Sequence, residues 1–352
     1  MRRVQLDKIA SVTMRLELDR NAVLGEEIPA RAGTVIAARV LNAKTSYNTL
    51  EDVHGRMVAL HPGDIIAGAL GHRDALYGYS GRVPERVAVG DRLQLLNIGG
   101  VIGIGAEAVP GLGEPFSIEV LGSVLEFPYL GTRVGVPTNI ESAALPQAPL
   151  PSDLPPIIAL VGTCMDAGKT TAAAVIIGEL SRKGMRIAAG KLTGVSLRRD
   201  VLQMADCGAA PTAIFTDFGV VTTSEQTAKA AAHSLVNYLA DSEPDLIVLE
   251  MGDGLLGTYG VHALLSDDAL RNALTATVLC AQDPVGAWGG QRLLDERYGM
   301  SIVAVSGRVT DSAVGVRFCT EKLKVAAWNA LRDGHKLAEE LLPYVQRTRV
   351  GV

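Results

Sequence analysis

Cysteine is scarce in this chain: four in 352 residues, at Cys164, Cys207, Cys280 and Cys319, with no C-x-x-C pair among them. That scatter excludes a disulfide framework and fits the reduced thiols of a cytoplasmic protein. An excess of positive charge is also missing. Lys and Arg total 33 against 38 Asp and Glu, a net charge of −5. The chain therefore lacks the basic surplus that neutralises a phosphate backbone, and nucleic acid is not an expected partner. No apolar run approaches the roughly 18 residues of a membrane span. The opening "MRRVQLDKIASVTMRLELDR" is charged throughout, without the apolar stretch of a signal peptide. His54, His61 and His72 fall close together but match no standard zinc spacing. The reading is a soluble, cytoplasmic protein without a membrane partner.

What is present divides into two textures. Residues 1–135 carry short β-branched runs such as "GTVIAARVL" and "RVAVGDRLQLLNIGG", cut by Gly, Pro and Asp. They predict a small β-rich domain, a barrel or a sandwich. Residues 136–156, "VPTNIESAALPQAPLPSDLPP", are proline-rich and predict an extended linker. From 157 to 352 apolar strands (157–162, 186–190, 245–250, 275–280, 301–306) alternate with helical stretches (169–183, 224–240, 261–273, 286–298, 312–341). That alternation predicts an α/β domain with a doubly wound, mostly parallel sheet.

The first of those strands runs into "LVGTCMDAGKTT", residues 160–171. A glycine-flanked loop between a buried strand and a helix start is a phosphate cradle, because free backbone N–H groups and the helix dipole converge there. Five residues separate Gly162 from Gly168, one more than the usual G-x-x-x-x-G-K-[ST]. Gly162, Thr163, Asp166, Ala167, Gly168, Lys169, Thr170 and Thr171 are the candidate nucleotide contacts. Lys169 is expected on the β- and γ-phosphates and Thr170 on Mg²⁺. The bland alternative is a glycine turn beside a snorkelling lysine.

This longer loop resembles that of the dethiobiotin synthetase and cobyrinic-acid amidotransferase class of P-loop proteins, over about residues 156–310. "RIAAGKLTG" is similar to the class's lysine-bearing strand end, which implies that Lys191 faces substrate and phosphate, with Thr193 beside it. "DLIVLEMGDGLLG" resembles its E-G-A-G-G strand end, which implies Glu250 as the Mg²⁺ carboxylate. Lys169, Lys191 and Glu250 are then the catalytic candidates. The chain departs from the class at Asp253, where relatives carry a small residue, and in "VAVSGRVTD", which lacks the adenine-contacting asparagine. The lysine that a dimer-switching subclass adds to its loop is Cys164 here. The whole chain resembles a group of such proteins with an added β-rich N-terminal domain, loosely described as molybdopterin-guanine-dinucleotide-biosynthesis-like.

Further candidates each have a plain alternative. Asp217 is a second metal carboxylate or a turn aspartate. Arg198 and Arg199 hold an anionic substrate or simply open a helix. Asp253 and Asp283 sit near substrate, or Asp283 caps a helix. Ser224 is the expected N-cap of the helix over 224–240. Arg73, Asp74 and Tyr79 lie on a glycine-punctuated loop that closes over the site or forms a dimer contact. The expected activity is Mg-ATP-dependent phosphoryl transfer to a small, carboxylate-bearing substrate, of ligase, synthetase or kinase type, by a homodimer. ATP stands here for any NTP. The alternatives are a GTPase or ATPase switch of regulatory or metallochaperone kind, and a non-catalytic nucleotide-binding module. No N-K-x-D guanine motif and no metal-carrying tract favours the switch.

Overall fold

The computed structural model describes residues 1–129 and 131–350. They form two compact units. One comprises Met1–Leu145 with Val195–Arg199 and Thr216–Thr222; the other comprises Pro146–Gly194, Asp200–Phe215 and the chain from Thr223 onward.

The first unit is built on β1 (Arg2–Gln5), β2 (Lys8–Ile9), β3 (Asn21–Gly25), β4 (Val35–Val40), β5 (Thr49–Glu51) and β6 (Met57–Ala59). It continues with β7 (Ile65–Leu70), β8 (Arg92–Leu95), β9 (Val101–Gly103), β10 (Phe116–Glu126) and β11 (Val136–Pro137). Strands β10, β4, β7, β9 and β8 follow one another, and β8 pairs back onto β10. Closure removes the open edges of the sheet, so of the two expected architectures this is a barrel. The long strand β10 makes closure possible. Its first part, Phe116–Glu119, pairs with β8, while Ile118–Ser123 pairs with β4 across a bulge between Val120 and Gly122. Gly122 has φ +151°, and a Cβ there would lie 2.5 Å from the Gly25 carbonyl oxygen. Only glycine lets β10 bend at that point and go on to pair with β3.

Residues 136–145 belong to this barrel unit. β11 pairs with the end of β10, and the Asn139 side chain accepts the Glu141 N–H at the start of a 3₁₀ turn. The loop carrying Arg73 and Tyr79 is tied down as well. Tyr79 is buried; Lys44 Nζ donates to its hydroxyl at 2.7 Å, and the Leu112 and Glu114 carbonyls lie 3.1 Å from it. Burial pushes the phenol up to about 12. Arg73 is buried too and donates to the Leu96 carbonyl.

The second unit is a seven-stranded sheet of β12 (Ile157–Gly162), β13 (Ile187–Thr193), β14 (Ala209–Ile214), β15 (Leu246–Met251), β16 (Ala276–Cys280), β17 (Ala304–Ser306) and β18 (Ala326–Ala327). The order is β14-β13-β15-β12-β16-β17-β18, and every pair is parallel. Every residue of β12, β13 and β15 is buried, as a sheet covered on both faces requires. The helices are α1 (Lys169–Arg182), α2 (Arg199–Asp206), α3 (Ala228–Ala240), α4 (Val261–Leu265), α5 (Asp268–Ala273), α6 (Pro284–Tyr298), α7 (Ala313–Arg317) and α8 (Ala330–Val350). This is the expected doubly wound α/β class. No helix among the described residues is long and apolar enough to cross a membrane.

Several elements differ from expectation, each for a physical reason. β14 was not foreseen, because Pro211 interrupts its apolar run; the strand tolerates it as the sheet edge. Ser224 is not the cap of α3, which begins at Ala228. The Ser224 carbonyl instead accepts the Ala228 N–H at 2.9 Å. The helix expected over 261–273 breaks at Asp267, whose side chain accepts the Ala269 N–H and starts α5. The one expected over 312–341 is split by β18, where the Trp328 N–H donates to the Val305 carbonyl and joins the segment to the sheet. Pro146–Pro156 is extended as its prolines demand, yet anchored. Ala148 N–H donates to Ser234 Oγ and Asn237 Nδ2 to the Pro149 carbonyl.

Candidate nucleotide site

β12 sits where the sheet changes direction, with β13 and β14 on one side and β16 to β18 on the other. Open α/β sheets bind ligands at the carboxyl ends of the strands beside such a point. The loop from Gly162 to Gly168 occupies that place. It is fixed at one end by the Thr163 N–H, which donates to the Cys280 carbonyl at 3.0 Å. The turn into α1 passes through left-handed backbone at Asp166 (φ +57°) and Gly168 (φ +97°). A Cβ on Gly168 would come within 3.1 Å of Gly307 Cα, and one on Gly307 within 2.0 Å of the Ala167 carbonyl oxygen. These two glycines let the loop and the end of β17 pack backbone to backbone. Arg308 Nε donates to the Asp166 carbonyl at 3.2 Å and secures the same seam. The loop is a held shape. A left-handed Asp166 is the kind of local strain that clusters at ligand sites.

Lys169, the first residue of α1, is buried and folds back over the loop. Its Nζ donates to the Cys164 carbonyl at 2.9 Å and lies over Gly162, where a Cβ would come within 2.7 Å of it. Thr170 follows, and its Oγ1 donates to Glu250 Oε1 at 3.2 Å. Thr171 is half-buried in the same first turn. Glu250, near the end of β15, is 2% exposed, and its Oε2 has no hydrogen-bond partner. Burial pushes its carboxyl up, and Asp200 adds to this; the nearby Lys191 and Lys169 ammonium groups and the Thr170 hydroxyl pull the other way. A buried carboxylate with one oxygen unspent is costly by itself and is set to receive a cation.

Lys191, in β13, is held by Asp200 in the first turn of α2. The sequence reads Asp200 only as part of a helix start; its pairing with Lys191, nine residues earlier, was not foreseen. Thr193 is buried and its Oγ1 donates to the Gly252 carbonyl at 2.9 Å, tying β13 to the turn after β15. Gly252 and Gly254 make that turn close-fitting. A Cβ on either would fall 2.2 Å from the Thr193 carbonyl oxygen or 2.7 Å from that of Thr163. Asp253 between them is left-handed at φ +73°, buried, and has Oδ1 without a partner. Burial raises its carboxyl, against the Gly254 and Thr258 N–H groups and the charges of Lys169 and Lys191. The structure thus brings Lys169, Thr170, Lys191, Thr193, Glu250 and Asp253 into one unit, at one edge of one sheet.

Four candidates go elsewhere. Arg198 and Asp217 belong to the barrel unit and pair with each other, Nη1 to Oδ1 at 2.6 Å and Nη2 to Oδ2 at 3.5 Å. Asp217 therefore faces a guanidinium where a metal was expected. Asp283 is exposed and caps α6, accepting the Gly286 N–H at 2.8 Å. Arg199 is exposed at the start of α2. At the ends of β17 and β18 a polar group had no counterpart in the sequence reading. Asn329 Nδ2 donates to Asp311 Oδ1 at 2.9 Å, and Arg332 Nη2 to the Thr310 carbonyl at 2.7 Å.

No family model and no curated protein sequence matches the chain. Among solved structures it is similar to the signal recognition particle receptor FtsY from Elizabethkingia anophelis, at 13% identity over 58% of this chain and 70% of that one, TM-score 0.38. A DUF1611 family protein from Anabaena variabilis is 15% identical over 56% of this chain and 62% of that one, TM-score 0.39. The cell division protein FtsY from Thermotoga maritima is 13% identical over 58% and 74%, TM-score 0.38. Independently of these, the buried strand, held loop, helix start, lysine, threonine and facing carboxylate make the second unit a P-loop nucleotide-binding fold.

Proposed function

We propose that the α/β unit binds Mg-ATP, or another NTP, and transfers the terminal phosphoryl group to a small carboxylate-bearing substrate. The supporting observation is the Thr170–Glu250 contact with Glu250 Oε2 left open. A hydroxyl and a carboxylate converging beside a phosphate loop suit Mg²⁺, which takes oxygen ligands and only one or two carboxylates. Bound there, the ion would neutralise charge on the β- and γ-phosphate oxygens. The remaining steps belong to the chain itself. N–H groups of the loop and of the first turn of α1 hold the phosphates, and Lys169 leaves the Cys164 carbonyl to meet them. Lys191, kept in place by Asp200, adds positive charge as the substrate carboxylate approaches the phosphorus. That oxygen forms the new P–O bond, the bond to the β-phosphate oxygen breaks, and an acyl phosphate and a nucleoside diphosphate result. Positioning and electrostatics carry the catalysis. The sequence resemblance to the dethiobiotin synthetase class supports a ligase over a plain kinase.

The test is to incubate the full chain with Mg-ATP or Mg-GTP and a panel of mono- and dicarboxylates, trapping acyl phosphates with hydroxylamine. Hydroxamate formation dependent on one carboxylate is expected. Nucleotide hydrolysis without hydroxamate across the panel would replace transfer with a switch.

A further inference from the structure

The barrel unit contains a groove of about 730 Å³, a volume in the range of small-molecule sites. Ile9, Met14, Leu18, Val53 and Val58 give it an aliphatic wall. Arg15, Arg20 and Arg56 line it as well. Their partners decide what the groove can hold.

Two of the three carboxylates of the lining are held by backbone N–H groups. Asp52 Oδ1 accepts the N–H groups of both His54 and Arg56 at 2.9 Å, and Asp7 Oδ2 accepts the Ile65 N–H at 2.8 Å. Lys8 is consumed by Asp64, which lies outside the lining. Among the described residues no carboxylate lies within ion-pair distance of Arg15, Arg20 or Arg56. Arg15 is positioned by its Nε, which donates to the Ala143 carbonyl at 3.0 Å. Glu17, exposed at φ +49°, is the one acid of the lining with no such attachment among the described residues. Three arginines without an ion-pair partner thus line the groove beside Glu17, while Asp7 and Asp52 keep their charge but are held by backbone N–H groups.

We infer that this groove is a second ligand site, taking a small anion with an aliphatic body whose head is a carboxylate or a phosphate ester. Guanidinium groups bind both heads by paired N–H donation. The aliphatic wall rewards a hydrocarbon chain at roughly 0.8 kcal/mol per buried CH₂. This inference stands apart from the nucleotide reading, since every residue it uses belongs to the barrel unit.

The test is calorimetric titration of the full chain with octyl phosphate, octanoate, octylammonium and inorganic phosphate. One of the two amphiphilic anions is expected to saturate at one per chain, and the tighter of them identifies the head group. Inorganic phosphate and octylammonium should each bind at least tenfold more weakly than that anion. Arg20→Glu combined with Arg56→Glu should weaken it at least tenfold, with an unchanged melting temperature because both residues are exposed. Failure of both anions to saturate would overturn the inference. So would octylammonium or inorganic phosphate binding as tightly as the amphiphilic anion, or undiminished binding to the folded double variant.

Discussion

Asp217 in the barrel unit and Glu250 in the α/β unit are both buried carboxylates, and as sequence both are candidate metal ligands. Their surroundings separate them. Asp217 meets the planar fork of Arg198, which supplies charge and donors to both of its oxygens. Glu250 meets one threonine hydroxyl, at Oε1, and feels lysine ammonium groups, while Oε2 has no partner. The first arrangement is closed by its ion pair; the second leaves one oxygen open, where the proposed function places a cation. Burial and acidity alone do not separate the two carboxylates; the partners around each do.

Substitutions sharpen this contrast, the largest effect first. Asp217→Ala leaves the Arg198 charge buried without its partner, and breaking such a pair costs about 3 kcal/mol. Urea denaturation should show that loss, while nucleotide turnover per folded molecule stays within about twofold, a barrier change of roughly 0.4 kcal/mol. Undiminished stability with lost turnover would move Asp217 to the metal site. Glu250→Gln keeps shape and removes charge. It should slow turnover at least tenfold, about 1.4 kcal/mol in the barrier. Its melting temperature should not fall, because the ionised carboxylate is disfavoured by burial. A variant that melts earlier yet turns over normally would make Glu250 structural like Asp217.

The smallest effect concerns pH. Burial would raise the Asp64 carboxyl, but the Lys8 ammonium and the His61 N–H outweigh it and hold the group below its ordinary range. A carboxyl depressed on folding contributes stability above its unfolded value and loses it as pH falls through its folded value. The barrel unit should therefore weaken on acidification below the ordinary carboxylate range, and Asp64→Asn should flatten that limb. An acid limb that keeps its slope in the variant would assign it to other groups.

The contrast also separates what the sequence could reveal from what it could not. The phosphate loop was legible because its requirements are local: glycines at the turn, then Lys169 and Thr170 at a helix start. The place of Glu250 was legible because an apolar strand ends in an acid, while its expected metal role came from the family resemblance. The Arg198–Asp217 pair spans 19 positions, and nothing near either residue announces the other. Val195–Arg199 and Thr216–Thr222 read as part of the alternating α/β half, yet they pack with the barrel unit. The Asn97 side chain donates to the Ser196 carbonyl at 2.8 Å, and Val195 bridges Thr222. Such pairings depend on chain returning from far away, which a pass along the sequence cannot register. Asp200 escaped for a similar reason: its acidity looked like an ordinary first-turn residue until Lys191 was seen beside it.

The central claim is that the loop from Gly162 to Thr171 holds the phosphates of a nucleotide through Lys169. Its most direct test is calorimetric titration of Mg-ATP and Mg-GTP into the full chain and into Lys169→Ala, with folding of both checked by thermal melting. The wild-type chain should bind one nucleotide with Mg²⁺ present, and the folded variant should bind at least a hundredfold more weakly, about 2.7 kcal/mol. Equal nucleotide affinity in the folded Lys169→Ala variant, or no binding by the wild type, would contradict the account.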